Sequence, residues 1–370
     1  MRKQGKSSIA AVVLGFIFLV LVGGVAFVFN SSLFEREAPQ VVLPKEIEWN
    51  LKEPIKVQLA DASGLRFVRA SLFDGEKSVV LDTKEYKTPE KVVDLNLSFP
   101  KTGFGANKKV FELTVEAVDG SKWNFFAGNS VSVKSVIKVD TKRPEVNIIG
   151  SSYKIMKGGV ATVIFKAQDE AMKSLYVETN FGKKFYPTPF YKEGYYITLV
   201  AWPTNIESFS ASVVALDRAG NLTKAHIPYF LQDKKYKTST IALDDRFLDG
   251  KIADLIAEMA PERSSLTKLE KFKYVNEDMR KGNEANILKV TSNVPTELIS
   301  GFYLKPFYPL RNGKVVASFG DHRFYEYDKQ PTSESYHLGL DLASNAQAAM
   351  QTSNDGVVVF ARENGIYGNN

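Results

Sequence analysis

The chain has 370 residues, more than one compact domain usually holds, and its 44% hydrophobic and 24% charged composition excludes wholesale disorder. Lys plus Arg outnumber Asp plus Glu by 48 to 42, a mild surplus of +6 with no clustered basic stripe, so no nucleic-acid partner is expected. There is no cysteine, which excludes disulfides, thiolate zinc sites and cysteine nucleophiles and leaves His226, His322 and His337 as the only histidines for metal or acid–base work.

Ile9 to Phe29 form 21 consecutive residues without a charged or strongly polar side chain. At 1.5 Å per residue they span a hydrocarbon core of about 30 Å. Arg2, Lys3 and Lys6 precede this run and Glu35, Arg36 and Glu37 follow it. The positive-inside bias predicts a cytoplasmic tail (1–8), a single transmembrane anchor (9–29) and an exported C-terminal portion; placing the anchor in the inner, cytoplasmic membrane with that portion facing the periplasm or cell wall is an analogy, not a reading of the charges. A cleaved signal peptide has a shorter apolar core and a small-residue cleavage site, and Gly23-Gly24-Val25-Ala26-Phe27 matches that pattern poorly.

Residues 30–45, with Pro39 and Pro44, read as a stalk. From Ile47 to about Leu231 the pattern is strand-like: Ile55–Leu59, Phe111–Val118 and Ala161–Ala167 alternate or run apolar, and Gly, Asp, Asn and Pro separate them. The stretch reads as duplicated. Leu113-Thr-Val-Glu-Ala-Val-Asp119, ending at Asn124, resembles Ser212-Val-Val-Ala-Leu-Asp217-Arg-Ala-Gly-Asn221 about a hundred residues later, a period of tandem domains. Asp-x-x-Gly-Asn is turn chemistry, since Asp accepts local N–H bonds and Gly supplies positive φ. Two β-sandwich modules are predicted, 46–143 and 144–232, joined at Asp140-Thr-Lys-Arg-Pro144 and similar to bacterial immunoglobulin-like domains. They act as spacers or as surfaces for partners.

Residues 233–300 form a helical linker or regulatory region. Leu248, Ile252, Leu255, Ile256 and Met259 fall at helical spacing, with Asp244 or Asp245 as cap and Pro261 as stop. A second helix, capped by Ser264 or Ser265, carries Leu266, Leu269, Phe272, Val275 and Met279 on one stripe. An antiparallel pair packed on a neighbour is expected; covering the following domain, as pro-segments do, is the alternative.

Strands return from Pro306, with Asn312-Gly313 predicting a type I′ hairpin. The segment His337-Leu-Gly339-Leu-Asp341 carries the chemistry. A His and an Asp can share a metal, but i and i+4 of a straight strand lie about 13 Å apart. The chain must therefore bend, and Gly339 permits it. Leu338 and Leu340 would then face the core while His337 and Asp341 face a cleft.

Ser318-Phe-Gly320-x-x-Arg323, His337-Leu-Gly-Leu-Asp341, Asn354-Asp355-Gly356-Val-Val-Val-Phe-Ala361 and Gly365-Ile-Tyr367-Gly368-Asn369 occur in that order. This succession, over residues 310–370, resembles the lysostaphin/LytM-type zinc metallopeptidases, which cut the peptide part of peptidoglycan. The fold class implied is mainly β with a helical insert: a transmembrane helix, two immunoglobulin-like sandwiches, a helical pair, and the first part of a LytM-like antiparallel sheet at 301–370.

By the resemblance, His337 and Asp341 are zinc ligands, Asp355-Gly356 is a turn before a strand, and Arg323 and Tyr367 are possible groove-lining residues, Arg323 alternatively tying down a loop. Tyr367-Gly368-Asn369 would lead into the next strand. The family's catalytic His and its His-x-His pair, which supplies the third zinc ligand, are expected C-terminal to Asn370, so no catalytic residue falls within the chain. Within the visible sequence His322 could instead complete a His/His/Asp site, while His226 reads as structural or solvated. The implied function is Zn2+-dependent hydrolysis of peptidoglycan cross-links or stem peptides in wall remodelling. The alternatives are a non-catalytic LytM-like activator of a wall amidase and an anchored envelope scaffold; the oligomeric state is not indicated.

Overall fold

The computed structural model describes residues 6–101, 103–105, 107–307 and 310–370, with backbone only for 6–10. Arg2 and Lys3 of the expected cytoplasmic tail lie outside the described residues. The chain divides into two compact units, the first holding Met1–Pro144 with the short segments Asp169–Lys173 and Leu216–Leu222, the second holding the remainder.

The first unit opens with helix α1 (Lys6–Asn30), in which Ala11–Asn30 is long and apolar enough to cross a membrane and is not covered by the rest of the chain. The stalk is shorter than expected. A turn at Ser32–Phe34 is followed by β1 (Gln40–Val42), which pairs with the sandwich, Gln40 opposite Ala60. The sandwich continues with β2 (Glu46–Trp49), β3 (Ile55–Phe73), β4 (Ser78–Leu97), β5 (Val110–Asp119) and β6 (Ser130–Val139).

β3 and β4 form one long hairpin that serves both sides of the core. Its Ile55–Ala60 half pairs with Val92–Leu97 and, at residues 58–60, with β1; its Leu65–Phe73 half pairs with β5. A register shift at Leu65/Phe67 makes the change, and buried positions pass from odd (Ile55, Val57, Leu59, Leu65) to even (Val68, Ala70, Leu72). A one-residue slip of this kind moves side chains to the opposite face. β5 and β6 pair antiparallel, and β2 closes the edge parallel to β6. One apolar cluster results, from Trp49 through Leu59, Leu95 and Val115 to Ile137.

The second module, apart from the two short segments that fall in the first unit, belongs to the second unit and contains β7 (Glu145–Ser151), β8 (Lys154–Met156), β9 (Val160–Gln168), β10 (Met172–Thr179), β11 (Lys184–Phe185), β12 (Thr188–Pro189), β13 (Tyr195–Ala201), β14 (Ala211–Asp217), β15 (Leu222–His226) and β16 (Phe230–Gln232). Two four-stranded sheets run β7-β9-β13-β12 and β11-β10-β14-β15, while β16 pairs with β8. With β7 taken as strand A these orders are A-B-E-D and C′-C-F-G, the arrangement of an immunoglobulin-like sandwich. Alternation in β9 buries Ala161, Val163, Phe165 and Ala167.

The duplicated motif has a common structural role. Asp119 and Asp217, each fully buried, end β5 and β14. Asp119 accepts bonds from the Ser121 and Asn129 backbone N–H groups (3.0 and 2.8 Å) and from Asn129 Nδ2 (2.7 Å). Asp217 accepts from the Asn221 N–H (2.7 Å) and Asn221 Nδ2 (2.8 Å). Each Asn amide also donates to a carbonyl just ahead of its own sandwich, Asn129 to Glu35 (3.0 Å) and Asn221 to Asp140 (2.9 Å). Gly128 and Gly220, both at positive φ, precede the two Asn residues. The partner of Asn221 in the repeat is therefore Asn129, not Asn124; Gly120–Ala127 form an insertion present only in the first module.

After the sandwich, β17 (Thr238–Ala242) pairs in parallel with β19 (His322–Tyr327), which pairs with β20 (Gln330–Tyr336). Between them Asp245–Phe247, a π turn at Leu248–Ile252 and Ala253–Met259 run together as α2. Lys268–Lys273, a π turn at Tyr274–Met279 and Arg280–Thr291 run together as α3. Asp244 caps α2 and the helix ends before Pro261, as expected. α3 is capped by Thr267 in a capping box with Glu270, rather than by Ser264 or Ser265.

Residues 233–300 are thus no separate linker, since Leu248, Ile252, Ile256, Phe272, Val275 and Met279 share one core with Tyr325 of β19. The remaining strands are β18 (Lys314–Ala317) and β21 (Asp341–Ala343), an antiparallel pair. Asn312 alone has positive φ in the Leu310–Gly313 turn, so the expected I′ hairpin, which needs two such residues, does not form. Residues 355–360 are not a strand, for among the described residues no strand pairs with them, and Val357–Val359 are exposed.

If the clasps hold the sandwiches closed, Asn129→Ala and Asn221→Ala each strand a buried Asp oxygen and release an entry segment. Each is expected to cost about 1–3 kcal/mol in urea unfolding. A loss below about 0.5 kcal/mol would show that the turns hold without them.

Candidate metal centre

His337 follows β20 and Asp341 opens β21, with the bend at Gly339 between them. The bend brings His337 Nε2 to 3.1 Å from Asp341 Oδ1, against the roughly 13 Å of a straight strand. The imidazole is held from the other side. His337 Nδ1 lies 2.9 Å from the Ser318 carbonyl, which can only accept, so Nδ1 carries the proton. Nε2 then faces a carboxylate oxygen, a contact that a proton or a metal ion at that point makes attractive. Two ligand atoms of a tetrahedral zinc ion are separated by about 3.3 Å, close to the spacing seen. A backbone carbonyl on the second ring nitrogen is the usual orienting partner of a metal-bound histidine.

The Ser318–Asp321 segment supplies that orientation. The Gly320 N–H donates to the His337 carbonyl (2.7 Å) and the His337 N–H donates to the Asp321 carbonyl (2.9 Å). Gly320 has φ +84°, and a Cβ there would fall inside the Tyr236 ring. Tyr236 is fixed in turn, donating to the Lys157 carbonyl (2.6 Å). The buried Asp321 accepts from Ser239 Oγ (2.8 Å) and pairs with Arg323 Nε (3.3 Å).

Arg323 therefore ties down the loop that holds His337. Tyr367 is held on α3 by its hydroxyl, which donates to Glu284 (3.1 Å); burial and the Glu284 carboxylate push its phenol above the ordinary tyrosine range. His322 is committed elsewhere: it stacks on Tyr336 at 4.2 Å and its Nε2 meets Glu334 at 3.0 Å, so the His/His/Asp alternative is not assembled. His226 ends β15, exposed. Leu338 and Leu340 do not face a core. They are 49% and 55% exposed, in the segment leading into β21, whose only strand partner among the described residues is β18.

A cavity of about 520 Å³ lies beside the segments flanking His337, lined by Trp202, Arg280, Phe319, Glu334, Tyr336 and Leu338 among others. A larger, more apolar cavity of about 680 Å³ between β11–β13 and α3 includes none of the candidate residues.

Among the described residues the one three-carboxylate group is elsewhere: Glu35, Asp61 and Asp119 place oxygens within 4.8 Å of one another. Burial, opposed by the bond from the Glu37 N–H and reinforced by the charges of Asp61 and Asp119, holds the Glu35 carboxyl above the ordinary glutamate range. Nothing in the spacing of these residues along the chain announces the cluster, which the β3 bend and the β5 terminus bring together.

No family model matches the chain and no curated protein matches it. Among solved structures it is similar to Dpr2 Ig1-Ig2 in complex with DIP-Theta Ig1-Ig3 (8% identity, 54% of this chain and 100% of that one, TM-score 0.25). A chimeric titin Z1Z2 carrying an exogenous decorin peptide gives 13% identity over 55% of this chain and 100% of that one, TM-score 0.23. A Bacteroides ovatus mixed-linkage glucan utilization protein, SGBP-B, with a bound heptasaccharide gives 12% identity over 56% and 52%, TM-score 0.18. At these TM-scores the likeness carries no structural weight, and the immunoglobulin-like assignment rests on strand order.

Two outcomes follow from this geometry. Gly320→Ala is expected to cost about 2–4 kcal/mol in thermal or urea unfolding, from positive-φ strain and overpacking against Tyr236; adding Tyr236→Ala should remove the overpacking share, and additive losses would exclude the contact. Because the folded pKa of Glu35 exceeds its unfolded value, its contribution to stability is full below the unfolded glutamate pKa and is lost as pH rises through the folded one. Glu35→Gln is therefore expected to raise the melting temperature at neutral pH, with the difference shrinking on acidification; an unchanged difference from neutral to acid pH would exclude this origin.

Proposed function

We propose that the chain is a membrane-anchored zinc metalloendopeptidase acting on the cross-links or stem peptides of peptidoglycan. His337 and Asp341 would be two of its metal ligands, and α1 would be its anchor in the cytoplasmic membrane with the sandwiches outside. The observation that carries the reading is the double constraint on His337: Nδ1–H on the Ser318 carbonyl and Nε2 directed at Asp341 Oδ1. Zinc bound at such a pair would lower the pKa of a coordinated water and polarise a scissile carbonyl.

The chain's own residues do the rest. Ser318 fixes the tautomer and ring plane of His337, Asp341 contributes the negative charge, and Asp321, Arg323 and Ser239 hold the segment that presents Ser318. The cavity beside them offers the Phe319 and Tyr336 rings for apolar stem-peptide side chains, and Arg280 for a carboxylate. By its resemblance to LytM-type peptidases, a third protein ligand and histidines that move protons and stabilise the oxyanion would complete such a site.

The test is zinc content together with hydrolysis, using the full-length protein. One equivalent of zinc and release of soluble peptides from purified peptidoglycan are expected. His337→Ala and Asp341→Ala should each weaken zinc binding by about 100-fold or more and abolish release. Zinc retained in His337→Ala would overturn the site, and intact peptidoglycan with zinc bound would overturn the reaction in favour of a scaffold or amidase activator.

A further inference from the structure

The two modules differ at one corner in a way that bears on the membrane. In the second, Asp217 reaches Gly220-Asn221 through Arg218 and Ala219 alone; in the first, Asp119 reaches Gly128-Asn129 through the insertion Gly120–Ala127, which contains Trp123, Phe125 and Phe126. Phe125 is 100% exposed and Phe126 67%. Asn124, Phe125 and Phe126 have φ of 53°, 55° and 68°, a run of left-handed residues that disfavours any L side chain. The run is held nonetheless: Arg66 donates to the Phe126 and Ala127 carbonyls (3.4 and 2.7 Å), and the Phe126 N–H bonds the Lys122 carbonyl (3.2 Å). A strained backbone thus holds two aromatic rings that the rest of the chain leaves uncovered.

The insertion is fastened to the chain just beyond α1. The Lys122 N–H donates to the Leu33 carbonyl (2.8 Å), and Ser121 Oγ donates to the Glu35 carbonyl (2.6 Å). The Arg36 guanidinium lies 4.0 Å from the Phe29 ring, in the last turn of α1, and 4.3 Å from the Trp123 ring. Trp123 therefore sits at the height of the last apolar turn, across one cation from it. Aromatic rings concentrate at this level, where hydrocarbon meets headgroups.

We propose that the Trp123–Phe126 loop enters the bilayer interface beside the C-terminal end of α1, seating the first module on the membrane surface. The occupant of this apolar patch is lipid because the patch continues the exposed apolar surface of α1. Trp123 lies at the interfacial level, Phe125 and Phe126 reach the acyl boundary, and Arg36 stays between the rings with its charge towards the headgroups. The proposal rests on α1 spanning the membrane and is independent of the peptidase reading.

The chain contains no cysteine, so a single introduced thiol labels uniquely. The full chain in nanodiscs of phosphatidylcholine and phosphatidylglycerol, nitroxide-labelled at Phe125→Cys, is compared with Val25→Cys inside α1 and Lys77→Cys at the far tip of the β3–β4 hairpin. Power saturation with oxygen and with a water-soluble nickel chelate should give position 125 the oxygen-rich, nickel-poor signature of position 25. Position 77 should give the reverse.

A second readout leaves the loop intact. Trp49 and Trp202 are buried at 2% and 3% exposure, so brominated lipid should quench only the Trp123 share of the emission, and Trp123→Phe should abolish that loss. If position 125 behaves like position 77 while position 25 reads lipid, and Trp123 is unquenched, the loop stands in water and the proposal fails with the span intact. If position 25 also reads water, the span fails and takes the proposal with it.

Discussion

A carboxylate buried at the end of a strand must be met by donors, and that constraint organises both sandwiches. Left without partners, the charge of Asp119 or Asp217 would be costly inside a corner with no access to water. The donors that satisfy it come from the following turn, so satisfying the charge also fixes the turn. The Asn amide that completes the set has a second N–H, which it spends on the backbone entering the same sandwich, at Glu35 or Asp140. One buried charge thereby sets the closing turn and the direction of entry. In the first module the entry point lies just beyond α1, so the clasp also fixes where the sandwich begins relative to the helix.

Strand periodicity was the legible part of this fold. Ala161–Ala167 and Phe111–Val118 alternate as half-buried strands must, and both do so in the structure. The repeat was legible too, but its alignment slipped at Asn124 because eight residues, Gly120–Ala127, stand where the second module has only Arg218 and Ala219. The capping of α3 was legible in principle. Of Ser264, Ser265 and Thr267, only Thr267 has a Glu three residues on, and that residue completes the capping box. The parallel pairing of β17 with β19 was not legible, because some eighty residues of helix and loop separate the strands and nothing local encodes a non-local partner.

The site shows the same division. The bend between His337 and Asp341 could be reasoned from ligand distance and the glycine between them. The Ser318 carbonyl could not, because a main-chain acceptor has no residue signature; any amino acid at 318 presents the same oxygen. Leu338 and Leu340 were expected inside because they are apolar and alternate with polar residues. Alternation tells which residues share a face but not whether anything covers it, and Leu338 and Leu340 stand exposed beside a sheet of only two strands.

The second sandwich is more than a spacer for this site. Tyr236 is bounded by two positive-φ glycines, Gly158 at the sandwich end and Gly320 in the segment that orients His337, and a Cβ at either would collide with it. One ring therefore indexes the His337 segment against Lys157 and Gly158. The cavity beside His337 is built the same way, with Trp202, Pro203 and Thr204 from the loop after β13 on one side and Phe319, Tyr336 and Leu338 on the other. Any ligand in that cleft would be read partly by sandwich residues. Specificity in the proposed reaction would then depend on a module whose strand order alone would suggest a passive support.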